Sequence, residues 1–241
     1  IVKLLIDKGA DVNVKDKNNN IPLHLFITYG NLDIVKLLID KGAYLNVKDK
    51  NNNTPLHLSI IYCNLDIFKI LIDKGAYLNV VDGNNNTPLH LSIIYGNLDI
   101  FKILIDKGAN VNVKDKNNNT LLHLASEKGH LDIFKILIDK GADMNVINYF
   151  NNTPLHSAIY GKNDEIVRIL IDKGADVNAK NKDNTTPLHL SITNGNLDIF
   201  KILIDKGADV NVKDKNNNTL LHLFITNGNL DIVKLLIDKG V

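Results

Sequence analysis

The sequence predicts an all-α repeat solenoid, built of stacked helix-turn-helix units with β-hairpin-like fingers between them. Three observations carry this. His24, His57, His90, His123, His156, His189 and His222 recur in steps of 33 residues. An Asp-Lys-Gly tag keeps the same step, with its glycine at Gly9, Gly42, Gly75, Gly108, Gly141, Gly174, Gly207 and Gly240. Within each step two apolar runs at helical spacing are separated by turns rich in asparagine. A period of this length marks a stacked array in which one unit cannot bury its own apolar face.

The elements follow in order along residues 49 to 81. Thr54 suits an N-cap, and Pro55 fits the first helical position, where the N–H would have no partner anyway. The first helix carries Leu56, Leu58 and Ile60 and breaks near Cys63 and Asn64. Asn64 is expected to cap a second helix over Leu65 to Ile72. Only Asp66, Lys69 and Asp73 are polar there, so the solvated stripe is narrow and the helix needs neighbours on three sides. Lys69 and Asp73, four residues apart, are expected to pair, for about 0.3 kcal/mol. Lys74 and Gly75 then end the helix, the lysine at the negative terminus and the glycine as a left-handed cap.

Beyond the glycine, Lys-Asp-Lys-Asn-Asn-Asn reads as a turn, because asparagine tolerates positive φ better than any residue but glycine. Such short helices are marginal alone, so stability must come from stacking. The chain is expected to be a single repeat domain over 1–241. Its partial units are 1–20 and 219–241, and its whole units are 21–53, 54–86, 87–119, 120–152, 153–185 and 186–218.

The repeats resemble ankyrin repeats, whose hallmark opens the first helix with Thr-Pro-Leu-His and follows the second with Gly-Ala-Asp-Val-Asn. Thr87-Pro88-Leu89-His90 and Gly174-Ala175-Asp176-Val177-Asn178 carry the match. Ile21 departs from the threonine, Leu121 and Leu220 from the proline, and Asn19, Asn52 and Asn85 from the usual turn glycine; these should soften single units. Apolar faces at both ends lead us to expect a piece of a longer array. The resemblance implies that each tag histidine bonds its own threonine hydroxyl and a backbone group of the neighbouring finger. It also implies a modification, hydroxylation of the asparagine at Asn13, Asn178 and Asn211, in a cell that has the enzyme.

Composition narrows the function. With 28 basic and 27 acidic residues the net charge is +1, so no net field draws the chain to nucleic acid or an anionic membrane. The one cysteine, Cys63, cannot form an internal disulfide or a Cys-based metal cage, which fits a reducing intracellular, cytoplasmic setting. No apolar run approaches the roughly 20 residues of a membrane span, and no signal pattern opens the sequence. A soluble, monomeric array is expected.

Nothing in the sequence points to an enzyme. Stacked at about 10 Å, successive tag histidines lie too far apart to share a metal ion held at about 2 Å. Ser59, Ser92 and Ser191 lack the Gly-x-Ser-x-Gly elbow, and Gly161-Lys162 lacks the earlier glycine of a phosphate loop. No cofactor, metal or catalytic residue is expected. Phe68, Phe101, Phe134 and Phe200 read as core.

The chain is therefore expected to be a protein-interaction scaffold or adaptor, gripping a partner protein through its concave face and finger tips; the alternative is the targeting arm of a larger enzyme, effector or channel. Resemblance to the family places partner contacts at the tips and at the exposed end of the first helix, where the repeats differ most. Tyr29, Tyr62 and Tyr95 form a ladder there. Ile147, Tyr149 and Phe150 replace the usual polar tip, with Tyr160 in the following helix, and Glu127 and Lys128 join the two patches. Tyrosine offers large contact area at low entropic cost. Finger lysines such as Lys15, Lys17, Lys48, Lys50, Lys114, Lys116, Lys180, Lys182, Lys213 and Lys215 keep the tips hydrated, and a row of them could meet an acidic partner. The unit 153–185 is expected to be the weakest, because its helix-ending glycine is displaced to Gly161, Lys162 takes the place that Gly30, Gly96 and Gly195 fill, and Asp164 replaces the leucine seen at Leu98 and Leu197.

Overall fold

The computed structural model describes residues 1–227; the second helix expected in the last partial unit and Gly240 lie outside them, as does the side chain of Asn227. The chain divides into two compact units, Ile1–Lys116 and Asn117–Val241. The first holds α1 (Val2–Asp7), α2 (Pro22–Thr28), α3 (Leu32–Asp40), α4 (Pro55–Ile61), α5 (Leu65–Asp73), α6 (Pro88–Ile94) and α7 (Leu98–Asp106). The second holds α8 (Leu121–Lys128), α9 (Leu131–Asp139), α10 (Pro154–Tyr160), α11 (Asp164–Asp172), α12 (Pro187–Thr193), α13 (Leu197–Asp205) and α14 (Leu220–Asn227). This is the all-α repeat solenoid that the period predicts.

The first helix of each unit, the inner one of its pair, starts as expected where a threonine precedes it. At α4 the Thr54 N–H donates to His57 Nδ1 at 3.1 Å and the Thr54 hydroxyl lies 2.8 Å from the same nitrogen. A backbone N–H can only donate, so Nδ1 is the acceptor and the proton sits on Nε2, which meets the Val80 carbonyl of the next finger at 3.0 Å. His24 makes the same reach to Val47, while His123 and His156 bond the carbonyls at the end of the finger, Asn152 and Thr185. Each of these four imidazoles thus ties the start of its helix to the finger that closes the same unit. Nε2 of His90 and of His189 meets no acceptor among the described residues. Both precede repeats that open Thr-Leu instead of Thr-Pro. At the second of these an isolated bridge joins Lys213 to Thr219.

The core is the expected one. Phe68 and Phe101 are fully buried in the first unit, Phe134 and Phe200 in the second, where Phe200 meets Phe224 edge to face at 5.6 Å. The finger asparagines Asn19, Asn52, Asn85, Asn118, Asn151, Asn184 and Asn217 all take positive φ, as the turn reading requires.

Three local expectations are corrected. Asn64 does not cap α5; its Nδ2 donates instead to the Ile27 carbonyl of the preceding repeat at 2.9 Å, although Asn31 and Asn196 do cap their helices. Asp73 pairs not with Lys69 but with Lys107 of the next repeat at 3.7 Å, and Lys74 pairs with Asp40. Finger lysines do more than hydrate the tips, because Lys50 Nζ bonds Asn18 Oδ1 at 2.9 Å and Lys116 Nζ bonds Asn84 Oδ1 at 2.7 Å, each bracing the finger before it.

Cys63 and Lys162 sit at φ 54° and 56°, in the place that Gly30, Gly96 and Gly195 fill at φ 66°, 67° and 68°. A β-carbon is penalised there, so Cys63→Gly should raise stability by about 1 kcal/mol. A urea midpoint that falls instead would sink this account of the turn.

Candidate functional site

In the first unit the inner helices and the fingers face each other across a groove of about 340 Å3. One wall is apolar, made of Ile61 from α4 with Leu91 and Ile94 from α6, and Tyr95 stands at its rim. The other is made of finger residues, Asn51 and Asn53 on one finger and Asp82, Asn84 and Asn86 on the next. Asp82 Oδ1 accepts from the backbone N–H of Asn84 and Asn86, so this carboxylate folds its own finger. The Gly83 N–H donates to the Asn51 carbonyl at 2.9 Å, which fixes the two fingers side by side. The resulting surface offers amide donors and acceptors along one edge and aliphatic carbon along the other.

Tyr29, Tyr62 and Tyr95 end α2, α4 and α6, and their side chains are 79%, 47% and 46% exposed. The geometry brings Tyr95 together with the groove, and Tyr29 and Tyr62 hold the same position on the preceding helices. Sequence reasoning missed Ile61 and Ile94. A signal was present: they occupy the repeat position of Glu127 and Tyr160, which was singled out in the second unit only. It also missed Tyr44 and Tyr77, both exposed, which stand after Gly-Ala where Asp11, Asp143, Asp176 and Asp209 stand in other units.

In the second unit Ile147, Tyr149 and Phe150 are exposed on one finger. Tyr149 donates its N–H to the Asn117 carbonyl and Phe150 accepts from Lys182 N–H, both at 2.9 Å, so the aromatic tip is fixed between its neighbours by main-chain bonds. Tyr160 ends α10. Its half-burial, with the Asp183 carboxylate nearby, pushes the phenol up, against an opposing pull from the Asn181 side chain. Glu127 and Lys128 end α8, exposed and 3.5 Å apart. The Glu127 carbonyl accepts from Asn163 Nδ2 at 2.9 Å, and Gly161 passes so close that a β-carbon there would collide with that oxygen.

The chemistry of the remaining candidates is structural. Ser59, Ser92 and Ser191 are fully buried, each hydroxyl donating to the carbonyl three residues back at 2.7 Å. Burial pushes the imidazoles of His90 and His156 down to about 4, and those of His24, His57 and His189 below the usual histidine value. They are neutral struts at pH 7. Among the described residues no three His, Cys, Asp or Glu side chains are grouped to hold a metal ion, and no helix is long and apolar enough to cross a membrane. Asn13 and Asn178, which match the hydroxylation position, are engaged in packing: Asn13 bonds Gly42 O and Tyr44 N, and Asn178 bonds Gly207 O and Asp209 N.

Comparison with family models matches ankyrin repeats in three copies at residues 1–82, 75–148 and 147–214, and ankyrin repeats in many copies at 193–237. Comparison with curated proteins gave no match. The matched segments run through nearly the whole chain and coincide with the helix pairs and histidine struts described above, so the chain belongs to the ankyrin-repeat family.

Proposed function

We propose that this array is a scaffold or adaptor that binds a partner protein through the groove between its inner helices and fingers, and through its finger tips. Ankyrin repeats are generic protein–protein interaction modules. The observation that carries the finer reading is the groove of the first unit, where an apolar wall ending in Tyr95 faces a row of asparagine amides. An extended segment laid along it could bury aliphatic or aromatic groups while its main chain meets the amides. Tyr29, Tyr62 and Tyr95 supply anchors on one side. Ile147, Tyr149, Phe150 and Tyr160, with Glu127 and Lys128, supply a second contact region in the second unit. In this reading the chain itself is no enzyme and works as a monomeric array.

Replacing Tyr29, Tyr62 and Tyr95 together by alanine should leave the melting temperature nearly unchanged, because none of the three belongs to the buried core, yet weaken partner binding by about 2 kcal/mol or more. Titration of the captured partner against the wild-type and triple-variant arrays measures this. Equal affinities would overturn the assignment.

A further inference from the structure

The finger over 146–152 is unlike the others because it holds no charged residue, and it exposes Tyr149 and Phe150 to 58% and 55%. Rings left in water at a tip gain nothing for the fold, whereas their backbone bonds to Asn117 and Lys182 would be kept by any side chain. The next finger presents the opposite chemistry. Lys180 and Lys182 are exposed and have no carboxylate within ion-pair reach among the described residues, while that finger's one acid, Asp183, is taken by Lys215 of the finger beyond. Two unpaired ammonium groups therefore adjoin an aromatic tip, and the main-chain bond from Lys182 to Phe150 holds them in fixed register.

We propose that this finger edge takes an acidic polypeptide segment carrying apolar side chains, with Tyr149 and Phe150 receiving the apolar groups and Lys180 and Lys182 the carboxylates. The inference rests on the protein-binding reading above and specifies the chemistry of one partner segment. A polypeptide fits better than a nucleic acid strand, because the array as a whole is nearly neutral and a phosphate backbone needs a broad cationic track. The pairing of charge with aromatic surface gives register as well as attraction.

The test uses the full chain and a short fluorescein-labelled peptide that alternates glutamate with leucine and phenylalanine, followed by fluorescence anisotropy. Saturable binding is expected, weakened by added salt. It should weaken about tenfold in Lys180→Glu with Lys182→Glu and about tenfold in Tyr149→Ala with Phe150→Ala, with urea midpoints unchanged. A lysine-for-glutamate peptide and a peptide of glutamate alone should bind far more weakly. The proposal is overturned if the peptide does not bind, if either double variant binds it as the wild type does, or if glutamate alone or a single-stranded oligonucleotide binds equally well. Should the peptide fail while a partner protein still depends on Tyr62 and Tyr95, this inference falls alone; should both fail, the protein-binding reading falls with it.

Discussion

Lowering the pH from 7.5 to 5 is expected to strip the array of several kcal/mol of stability, well before its carboxylates titrate. The imidazoles of His90 and His156 have pKa values of about 4 in the folded chain, driven down by burial, against an ordinary value of 6.5. Between these values the unfolded chain binds protons that the folded chain excludes, so stability is full above about 6.5 and falls as pH drops toward 4. At pH 5 each of the two contributes a loss of about 2 kcal/mol. His24, His57 and His189 move in the same direction. Protonation also places a donor at Nδ1, where a backbone N–H already points, as at Thr54 and His57. Urea unfolding followed by circular dichroism at pH 7.5, 6 and 5 measures the effect, and a midpoint constant over that window would contradict the neutral-strut account.

Gly161→Ala should be among the most damaging small substitutions in the chain, costing about 3 kcal/mol. The reason is contact and not torsion, for Gly161 lies at φ −74°, where alanine is comfortable. Its β-carbon would collide with the Glu127 carbonyl oxygen and fall 2.5 Å from Asn163 Nδ2. That amide donates to the carbonyls of Ser126 and Glu127 at 2.8 and 2.9 Å, so relief by moving α10 away from α8 would break both bonds. One residue on, Lys162→Gly should stabilise by about 1 kcal/mol, since Lys162 holds the left-handed turn. Equal urea midpoints for wild type and the Gly161→Ala protein would show that the helices can part at no cost.

The contrast between these neighbouring residues shows what the sequence could reveal. Register with Gly30, Gly96 and Gly195 is enough to mark Cys63 and Lys162 as strained turns, because backbone torsion repeats with the period. The same logic reached the helix starts, the buried phenylalanines and the left-handed asparagines. It read Gly161 as a displaced helix-ending glycine. Its actual role depends on how closely α10 approaches α8, a distance between repeats that no periodicity encodes. Asn64 misled for a related reason: an asparagine before a helix can cap it or reach the repeat behind, and stacking offset decides. The groove was legible in outline from Tyr95, but Ile61 and Ile94 look like ordinary core residues until the fingers are in place opposite them. The pairing of Lys180 and Lys182 with the aromatic tip likewise needs the finger-to-finger main-chain bonds.

The central claim, that the groove is the partner-binding face, is tested most directly by site-specific photo-cross-linking of the full chain. A benzophenone amino acid is placed either at Tyr95, on the groove rim, or at Lys69, on the solvated stripe of the outer helix α5. The account predicts that irradiation in cell extract gives a discrete cross-linked polypeptide from position 95, competed by unlabelled array, and little or none from position 69. A discrete, competed product from position 69 with none from position 95 would contradict it and move the binding face to the outer helices.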